Sequence, residues 1–237
     1  MIMPMAGRGS RFARGGETRP KPLIPLRGRP FFWWASESLR RFATVDEMLF
    51  VVLAEHCRDH AIDQRIHDYY PDAKVVALPE VTSGAAETAA IGAKALQSRG
   101  PIAVNDCDHA FVGAQGASAS DAEGGLICFR SDSPAYSYAR LDAGGAVAGT
   151  VEKQVVSPFA IAGCYLFAGA DQMLELYEEY ARDCPYDELF VSGLYNLILA
   201  RGGSIARHDA DRHISFGTPE EFDRLDPALL DAEFDWA

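Results

Sequence analysis

The run Met48-Leu49-Phe50-Val51-Val52-Leu53 is apolar at every position, and it limits the fold open to this chain more than any other feature. A strand with one wet face alternates polar and apolar residues. A strand without that alternation is covered on both faces, as a parallel strand between two helix layers is. The flanking sequence supplies the layers. Pro30 to Leu39 places proline at a first helical turn and continues with apolar residues at three- and four-residue spacing, which predicts a buried helix. A second helix over about Arg58–Tyr70 leads to a strand at Lys74–Leu78, and a third from Gly84 to Leu96 leads to a strand at Pro101–Val104. This alternation predicts a right-handed, mostly parallel sheet with helices on both sides and ligands beyond the carboxyl ends of its strands.

Downstream the pattern changes. Gly125–Phe129, Tyr136–Leu141 and Val147–Val151 read as short strands separated by Gly, Ser and Asp, a hairpin region expected to form one side of a cleft. Ala160–Phe167 returns to a core strand, followed by helices over about Ala170–Asp183 and Glu188–Arg201, with Gly202-Gly203 as the stop. Thr218 is placed to cap a helix beginning at Pro219. A tail helix through Leu225 to Trp236 is expected to close over the core or to form a subunit contact, and the second outcome would make the protein a homo-oligomer.

A chain of 237 residues can bury one large core, and its formal net charge of −12 repels nucleic acid and anionic membranes, so neither is an expected partner. No apolar run reaches the length a bilayer demands. Five cysteines without Cys-x-x-Cys spacing are expected to be thiols in a reducing cytoplasm. An anionic ligand must then meet local positive charge, and Arg8, Arg11, Arg19 and Lys21 gather that charge near one end.

The same end has the form of an anion-binding strip. Met1–Met5 is a short apolar strand ending in Ala6-Gly7-Arg8-Gly9-Ser10-Arg11, where two glycines allow the backbone amides to approach a ligand closely. Lys21, flanked by Pro20 and Pro22, is expected on a stiff extended segment. The strip is not a P-loop, and Phe12 stands where a dinucleotide fingerprint has its third glycine. Farther on, Asp106-Cys107-Asp108 puts two carboxylates at a strand end, a hard-oxygen pair suited to Mg²⁺ shared with phosphate oxygens. Thr82-Ser83-Gly84-Ala85-Ala86-Glu87-Thr88 opens a helix with small residues; from the residues alone it reads as an ordinary helix start with an acidic first turn.

Taken with Pro20-Lys21-Pro22-Leu23 and Gly28-Arg29-Pro30, the first thirty residues resemble the N-terminal signature of the sugar-phosphate nucleotidyltransferases. The likeness continues through Gly84-Ala85-Ala86-Glu87, Asp108-x-x-Phe111, Glu152-Lys153 and Gly163-x-Tyr165-x-Phe167 to Phe216-Gly217-Thr218-Pro219. It implies an α/β, Rossmann-like three-layer αβα sandwich with a mixed, mostly parallel central sheet. One domain would span 1–237, with a nucleotide-binding half over about 1–112 and an acceptor-binding half over about 113–237. It further implies transfer of a nucleoside monophosphate from a nucleoside triphosphate to a sugar phosphate or other small phosphorylated acceptor, with release of pyrophosphate. Short members of this kind serve capsule and cell-surface polysaccharide synthesis.

The residue roles follow from the resemblance. Arg11 and Lys21 are the expected catalytic cations. Met5, Ala6, Gly7, Arg8, Gly9, Ser10, Gly84, Ala85 and Glu87 contact the nucleotide, and Asp108 and Asp106 hold Mg²⁺. Lys153, Glu152 and Gly163 contact the acceptor. Glu87 replaces a glutamine of the family pattern, and because a carboxylate only accepts hydrogen bonds it favours cytosine, with its amino donor, and hence CTP. Ser215 stands where a second metal aspartate often stands, leaving Asp106, Asp209 or Asp211 to compensate, or one weakly held ion. Two other readings stay open: a glycosyltransferase using Asp106-Cys107-Asp108 on a nucleotide sugar, and a non-catalytic nucleotide-binding relative.

Overall fold

An unbroken apolar strand needs cover on both faces, and the fold provides it. The computed structural model describes residues 1–113 and 122–234. In chain order the strands are β1 (Ile2–Met5), β2 (Pro25–Leu26), β3 (Arg29–Pro30), β4 (Leu49–Leu53), β5 (Lys74–Leu78), β6 (Ile102–Asn105), β7 (His109–Gly113), β8 (Gly124–Arg130), β9 (Ser137–Leu141), β10 (Val147–Glu152), β11 (Phe159–Phe167) and β12 (Ile205–Ser215). The helices are α1 (Ser10–Arg14), α2 (Phe31–Phe42), α3 (Ala54–His60), α4 (Ile62–Tyr69), α5 (Ala85–Ala95), α6 (Ala170–Tyr180), α7 (Leu194–Ala200), α8 (Pro219–Asp223) and α9 (Pro227–Glu233).

β5, β4, β1 and β6 pair in parallel. β11 then enters antiparallel between β6 and β8. β12 runs parallel to β8 over Ile205–Asp209 and crosses to pair antiparallel with β7 over Ala210–Ser215. The β9–β10 hairpin joins the edge of β11 through Tyr138. The chain is therefore an α/β, Rossmann-like three-layer αβα sandwich around a mixed, mostly parallel sheet, as the alternation of elements predicts.

Side chains leave a strand to opposite faces in turn, and the two cores follow that rule. Met3, Met5, Phe50 and Val52 pack with the aromatic face of α2 and with Ile62 and Ile66 of α4. Ile2, Leu49, Val51 and Val104 pack with α5, α6 and α7. The tail closes over the first core through Leu230 and Phe234, and the expected end of that helix at Trp236 lies outside the described residues. No helix among the described residues is long and apolar enough to cross a membrane.

Several boundaries differ from expectation for identifiable reasons. The single helix expected over Arg58–Tyr70 is two, broken at Ala61 (φ 51°), whose N–H closes α3 on Cys57 and whose carbonyl opens α4 toward Arg65. Pro30 is the residue before α2 rather than its first turn, and it pairs with Pro25 in the small β2–β3 ribbon. Gly125–Phe129 lies in the main sheet as part of β8, not in the hairpin. The helix expected from Glu188 begins as a 3₁₀ turn at Val191–Gly193, because backbone bonds tie Leu189 to Ser83 and Ala86. β7 and β12 were not anticipated, since Arg207 to Arg212 is too polar to read as a strand.

Gly92, in the middle of α5, sets how closely that helix approaches the sheet. A methyl there would stand 2.7 Å from Ile2 Cγ2 and 3.0 Å from both Leu49 Cδ2 and Val51 Cγ2. Alanine improves helix propensity by ~1 kcal/mol, but overpacking a dense core costs about 1–3 kcal/mol. Gly92→Ala should therefore destabilise the fold, read as a lower urea midpoint with an unchanged slope; a higher midpoint would show that the helix can back away.

Candidate active site

Beyond the carboxyl ends of β1 and β6 lies a cleft of about 450 Å³. β1 delivers Met5, Ala6 and Gly7 to its rim, and the chain then turns through Gly9 into α1. Gly9 has φ +59°, and a Cβ on it would stand 2.9 Å from Lys21 Cβ, so the glycine both makes the turn and lets the lysine segment pack against it. Lys21 opens a 3₁₀ turn over Lys21–Leu23, closed by Leu23 N–H donating to the Pro20 carbonyl at 2.8 Å. The extended presentation expected from its two prolines holds only for Pro20. Lys21 Nζ donates to Asp108 Oδ2 at 2.7 Å, joining the strip to a strand end 87 residues away.

The two carboxylates flank the buried Cys107 just past β6. Asp106 N–H donates to the Gly163 carbonyl at 2.8 Å, and Gly163, at φ +71°, leaves room for it: a Cβ there would lie 3.0 Å from Asp106 Oδ2 and 3.2 Å from His109 Cδ2. On the other flank Phe216 N–H donates to the Asp108 carbonyl at 2.9 Å, which brings Ser215, Gly217 and Thr218 to the cleft wall. Burial works to raise the Asp108 carboxyl, but the Lys21 ammonium outweighs it and holds the group below the usual carboxylate range. Burial also works to lower Lys21, and the charges of Asp108, Cys107 and Asp106 reverse that, so its ammonium is firmly protonated. Asp106 is pushed up, first by burial and then by Asp108, with smaller contributions from Glu152 and Glu188.

The opposite wall comes from β9, β10 and the segment before α7. Glu152 accepts from Ser137 Oγ at 2.6 Å and from Ser192 Oγ. Lys153 stands at φ 52° with its ammonium 5.0 Å from the Phe190 ring centre, and it makes no ion pair among the described residues. Tyr136 donates to Glu221 Oε1 at 2.7 Å, and Glu221 also completes the capping box with Thr218 that starts α8. In the cleft floor His109, 3% exposed, stacks on Phe111 and on His213.

The structure brings together Met5, Ala6, Gly7, Gly9, Arg11, Lys21, Gly84, Ala85, Asp106, Asp108, Glu152, Lys153 and Gly163 in this one cleft. Three expected residues face elsewhere. Arg8 is exposed and pairs with Glu55 at 3.5 Å, and Ser10 is exposed at the start of α1. Glu87 turns its carboxylate to the N–H of Ser83 at 2.6 Å, just ahead of α5, and lines a shallow outer groove, so the case for cytosine drawn from that carboxylate is withdrawn. Asp209 pairs with Arg207 and Asp211 lies against Gly113, so neither substitutes at the Ser215 position. Thr82 and Thr88, the ends of the small-residue segment, also line the cleft, and Tyr136, Glu188, Phe190 and His213 line it unannounced. Only Glu221 had a legible signal, the Thr-x-x-Glu capping pattern.

The donor set fits a magnesium ion. Asp106 and Asp108 are hard-oxygen ligands facing one cavity, and Asp108 already accepts a cationic group. No group of three or more His, Cys, Asp or Glu among the described residues is arranged to hold a metal, so these two would leave the remaining positions to phosphate and water.

Comparison with known proteins bears on the family and the fold. The family model of the MobA-like NTP transferase domain matches residues 2–121. A solved nucleoside-diphosphate-sugar pyrophosphorylase from Vibrio cholerae RC9 is 26% identical with a TM-score of 0.80, over 94% of this chain and 97% of that one. An inositol-1-phosphate CTP transferase from T. maritima is 15% identical with a TM-score of 0.78, over 97% and 92% of the two chains. HddC from Yersinia pseudotuberculosis is 16% identical with a TM-score of 0.67, over 94% and 95%. No curated protein sequence matches the chain.

The buried imidazoles make the fold acid-sensitive. Burial pulls His109 down to about 4 from 6.5, and His213 falls well below its usual range for the same reason. Folded, His109 stays neutral, while the unfolded chain takes up a proton as pH drops below 6.5, so acid favours unfolding through the window from 6.5 to 4. His109 alone should cost roughly 2 kcal/mol of stability by pH 5. Urea unfolding at pH 7 and pH 5 should show that loss, and His109→Leu should shrink it; an unchanged difference would exclude His109 as its source.

Proposed function

The chain belongs to the MobA-like NTP transferase domain family and is a nucleotidyltransferase; we propose that it transfers the nucleoside monophosphate of CTP to a small phosphorylated acceptor, with pyrophosphate leaving. The acceptor is a sugar phosphate or a compound of that size, in the cytoplasmic stage of cell-surface polysaccharide synthesis. The observation that carries this reading is the 2.7 Å contact of Lys21 with Asp108 inside the shared cleft. Glycosyl transfer through Asp106-Cys107-Asp108 would give that lysine no task. CTP is chosen on the pattern of the T. maritima protein whose name carries that donor, with the base set among Val81, Thr82, Gly84 and Thr88. The cysteines identified as free thiols suit the cytoplasm.

In the proposed reaction an oxygen of the acceptor phosphate attacks the α-phosphorus in line. The new P–O bond forms as the bond from the α-phosphorus to the bridging oxygen breaks, and pyrophosphate carries that electron pair away. A phosphomonoester has its second pKa near ~6, so the attacking oxygen is already largely anionic at neutral pH and needs no general base. The protein's work is to hold anions side by side and to meet the charge that grows between them. The Ala6–Gly9 amides and Arg11 would seat the triphosphate. Lys21 would sit by the α-phosphate, partly desolvated and held by Asp108. Lys153, which pairs with no carboxylate among the described residues, would take the acceptor phosphate. Mg²⁺ bound by Asp108 and Asp106 would neutralise phosphate charge.

Pyrophosphate release from CTP, Mg²⁺ and a panel of phosphorylated acceptors tests the reading, and release should demand an acceptor. Lys21→Ala should lower turnover by ~10²-fold or more, as expected for loss of one transition-state charge contact, while circular dichroism stays native. Near-normal turnover would remove Lys21 from the chemistry. UTP or dTTP outpacing CTP by about tenfold, a gap of ~1.4 kcal/mol, would reassign the donor.

A further inference from the structure

The wall of the cleft that follows β12 holds a carboxylate whose structural task uses only part of it. Glu221 lies in the first turn of α8, half-buried, and lines the cleft together with Ser215, Gly217 and Thr218. As the last member of the capping box its Oε2 accepts from Thr218 N–H at 3.1 Å, while its own N–H donates to Thr218 Oγ1 at 3.2 Å. The cap needs one oxygen. The other, Oε1, accepts from Tyr136 Oη at 2.7 Å, a bond that reaches across to the opposite wall. An ionised carboxylate has about four acceptor sites, so capacity remains on a group that two donors from separate segments hold in place.

Gly217 shows what that capacity faces. Its backbone is not left-handed, so no turn demands glycine there. The surrounding space demands it. A Cβ would stand 2.5 Å from Asp108 Oδ2 and 3.4 Å from Glu221 Oε2, so the absent side chain leaves a hollow in the cleft wall that both carboxylates border. Lys21 neutralises Asp108 from the other direction. No ion pair among the described residues does the same for Glu221. The same wall contains Ser215, where the resemblance puts a second metal aspartate, and neither Asp209 nor Asp211 fills that role.

We propose that Glu221 compensates for Ser215 by binding the water shell of the Mg²⁺ that Asp108 and Asp106 hold. This rests on the magnesium reading above and adds a positioning residue to it. Mg²⁺ takes one or two carboxylates directly and keeps several waters, which accords with the lack of a closed three-ligand group among the described residues. Those waters donate hydrogen bonds, and a carboxylate already oriented by Tyr136 and Thr218 is a ready acceptor for them. The charge that an aspartate at 215 would supply from within the ion's ligand set comes instead from one turn farther along the chain.

Mn²⁺ binding to the intact chain, read as the loss of free-ion signal in electron paramagnetic resonance, tests this without turnover. Glu221→Gln should weaken Mn²⁺ binding by ~10-fold, the loss expected when an outer partner of a metal site is removed. The Mg²⁺ concentration giving half-maximal pyrophosphate release should rise in parallel. Glutamine also completes a capping box, so the urea midpoint should hold. A purely structural role would lower that midpoint and leave Mn²⁺ affinity unchanged. Ser215→Asp in the Glu221→Gln background should restore Mn²⁺ binding. Unchanged Mn²⁺ affinity in Glu221→Gln, or failure of Ser215→Asp to restore it, would overturn the proposal. Asp108→Asn separates it from its premise: if that change weakens Mn²⁺ binding and Glu221→Gln does not, only the role of Glu221 falls. If neither does, the magnesium reading falls with it.

Discussion

The contact between Lys21 and Asp108 is the tie on which the cleft depends. Each side chain keeps about a quarter of its surface exposed, so the pair is neither a surface bridge, worth ~0–1 kcal/mol, nor a fully buried one whose desolvation exceeds its attraction. Its importance is positional. One end sits on a 3₁₀ turn packed against Gly9, the other at the end of β6, and the pair fixes the glycine turn relative to the acidic residues. Because Asp106 stands beside Asp108, the ammonium also moderates a like-charge repulsion that burial strengthens. A charge acts most strongly when it is partly desolvated and oriented, and the fold holds this ammonium so.

The parallel half of the fold was legible because its signals are local. An unbroken apolar run states that both faces are covered, and β4 is buried throughout. The alternation of such runs with amphipathic stretches dictates the β-α-β order of β1, α2, β4, α4, β5 and α5. β7 and β12 were hidden because their evidence is not local. Arg207 to Arg212 is half covered and charged, and β12 changes partner midway, from β8 to β7, so no alternation survives along its length. Ala61 shows a smaller failure of the same kind: the periodicity around it is helical, and only a left-handed residue in the middle divides the stretch.

The site was legible where backbone geometry and residue chemistry coincide. Gly9 and Gly163 each adopt a positive φ and sit against a side chain of the cleft, Lys21 in one case and Asp106 in the other, so their identity follows from both requirements at once. Arg8, Ser10 and Glu87 are different. They lie beside residues that do enter the cleft, but a side chain's direction at a helix start depends on which partner it finds. Glu55 takes Arg8, and the N–H of Ser83 takes Glu87. A sequence pattern gives the neighbourhood of such residues but not their orientation. The residues found only in three dimensions, Tyr136, Glu188, Phe190 and His213, come from elements whose order in the chain says nothing of their convergence.

That convergence divides the labour between the two halves of the cleft. The strip from β1 offers amides, a guanidinium and an ammonium, and so complements polyphosphate. The wall from β10 and the segment before α7 offers carboxylates and aromatic faces, with Lys153 the cation at its edge. A chain with net charge −12 would repel both anionic substrates at long range, yet at ordinary ionic strength that field fades within about 8 Å. At contact distance the local charges decide, and they are sorted: Arg11 and Lys21 on the strip side, Glu152 and Glu188 on the opposite wall. On the proposed reading, an acceptor entering backwards would set its phosphate against Glu152 and Glu188 and its body against Arg11, and like charge would oppose that orientation.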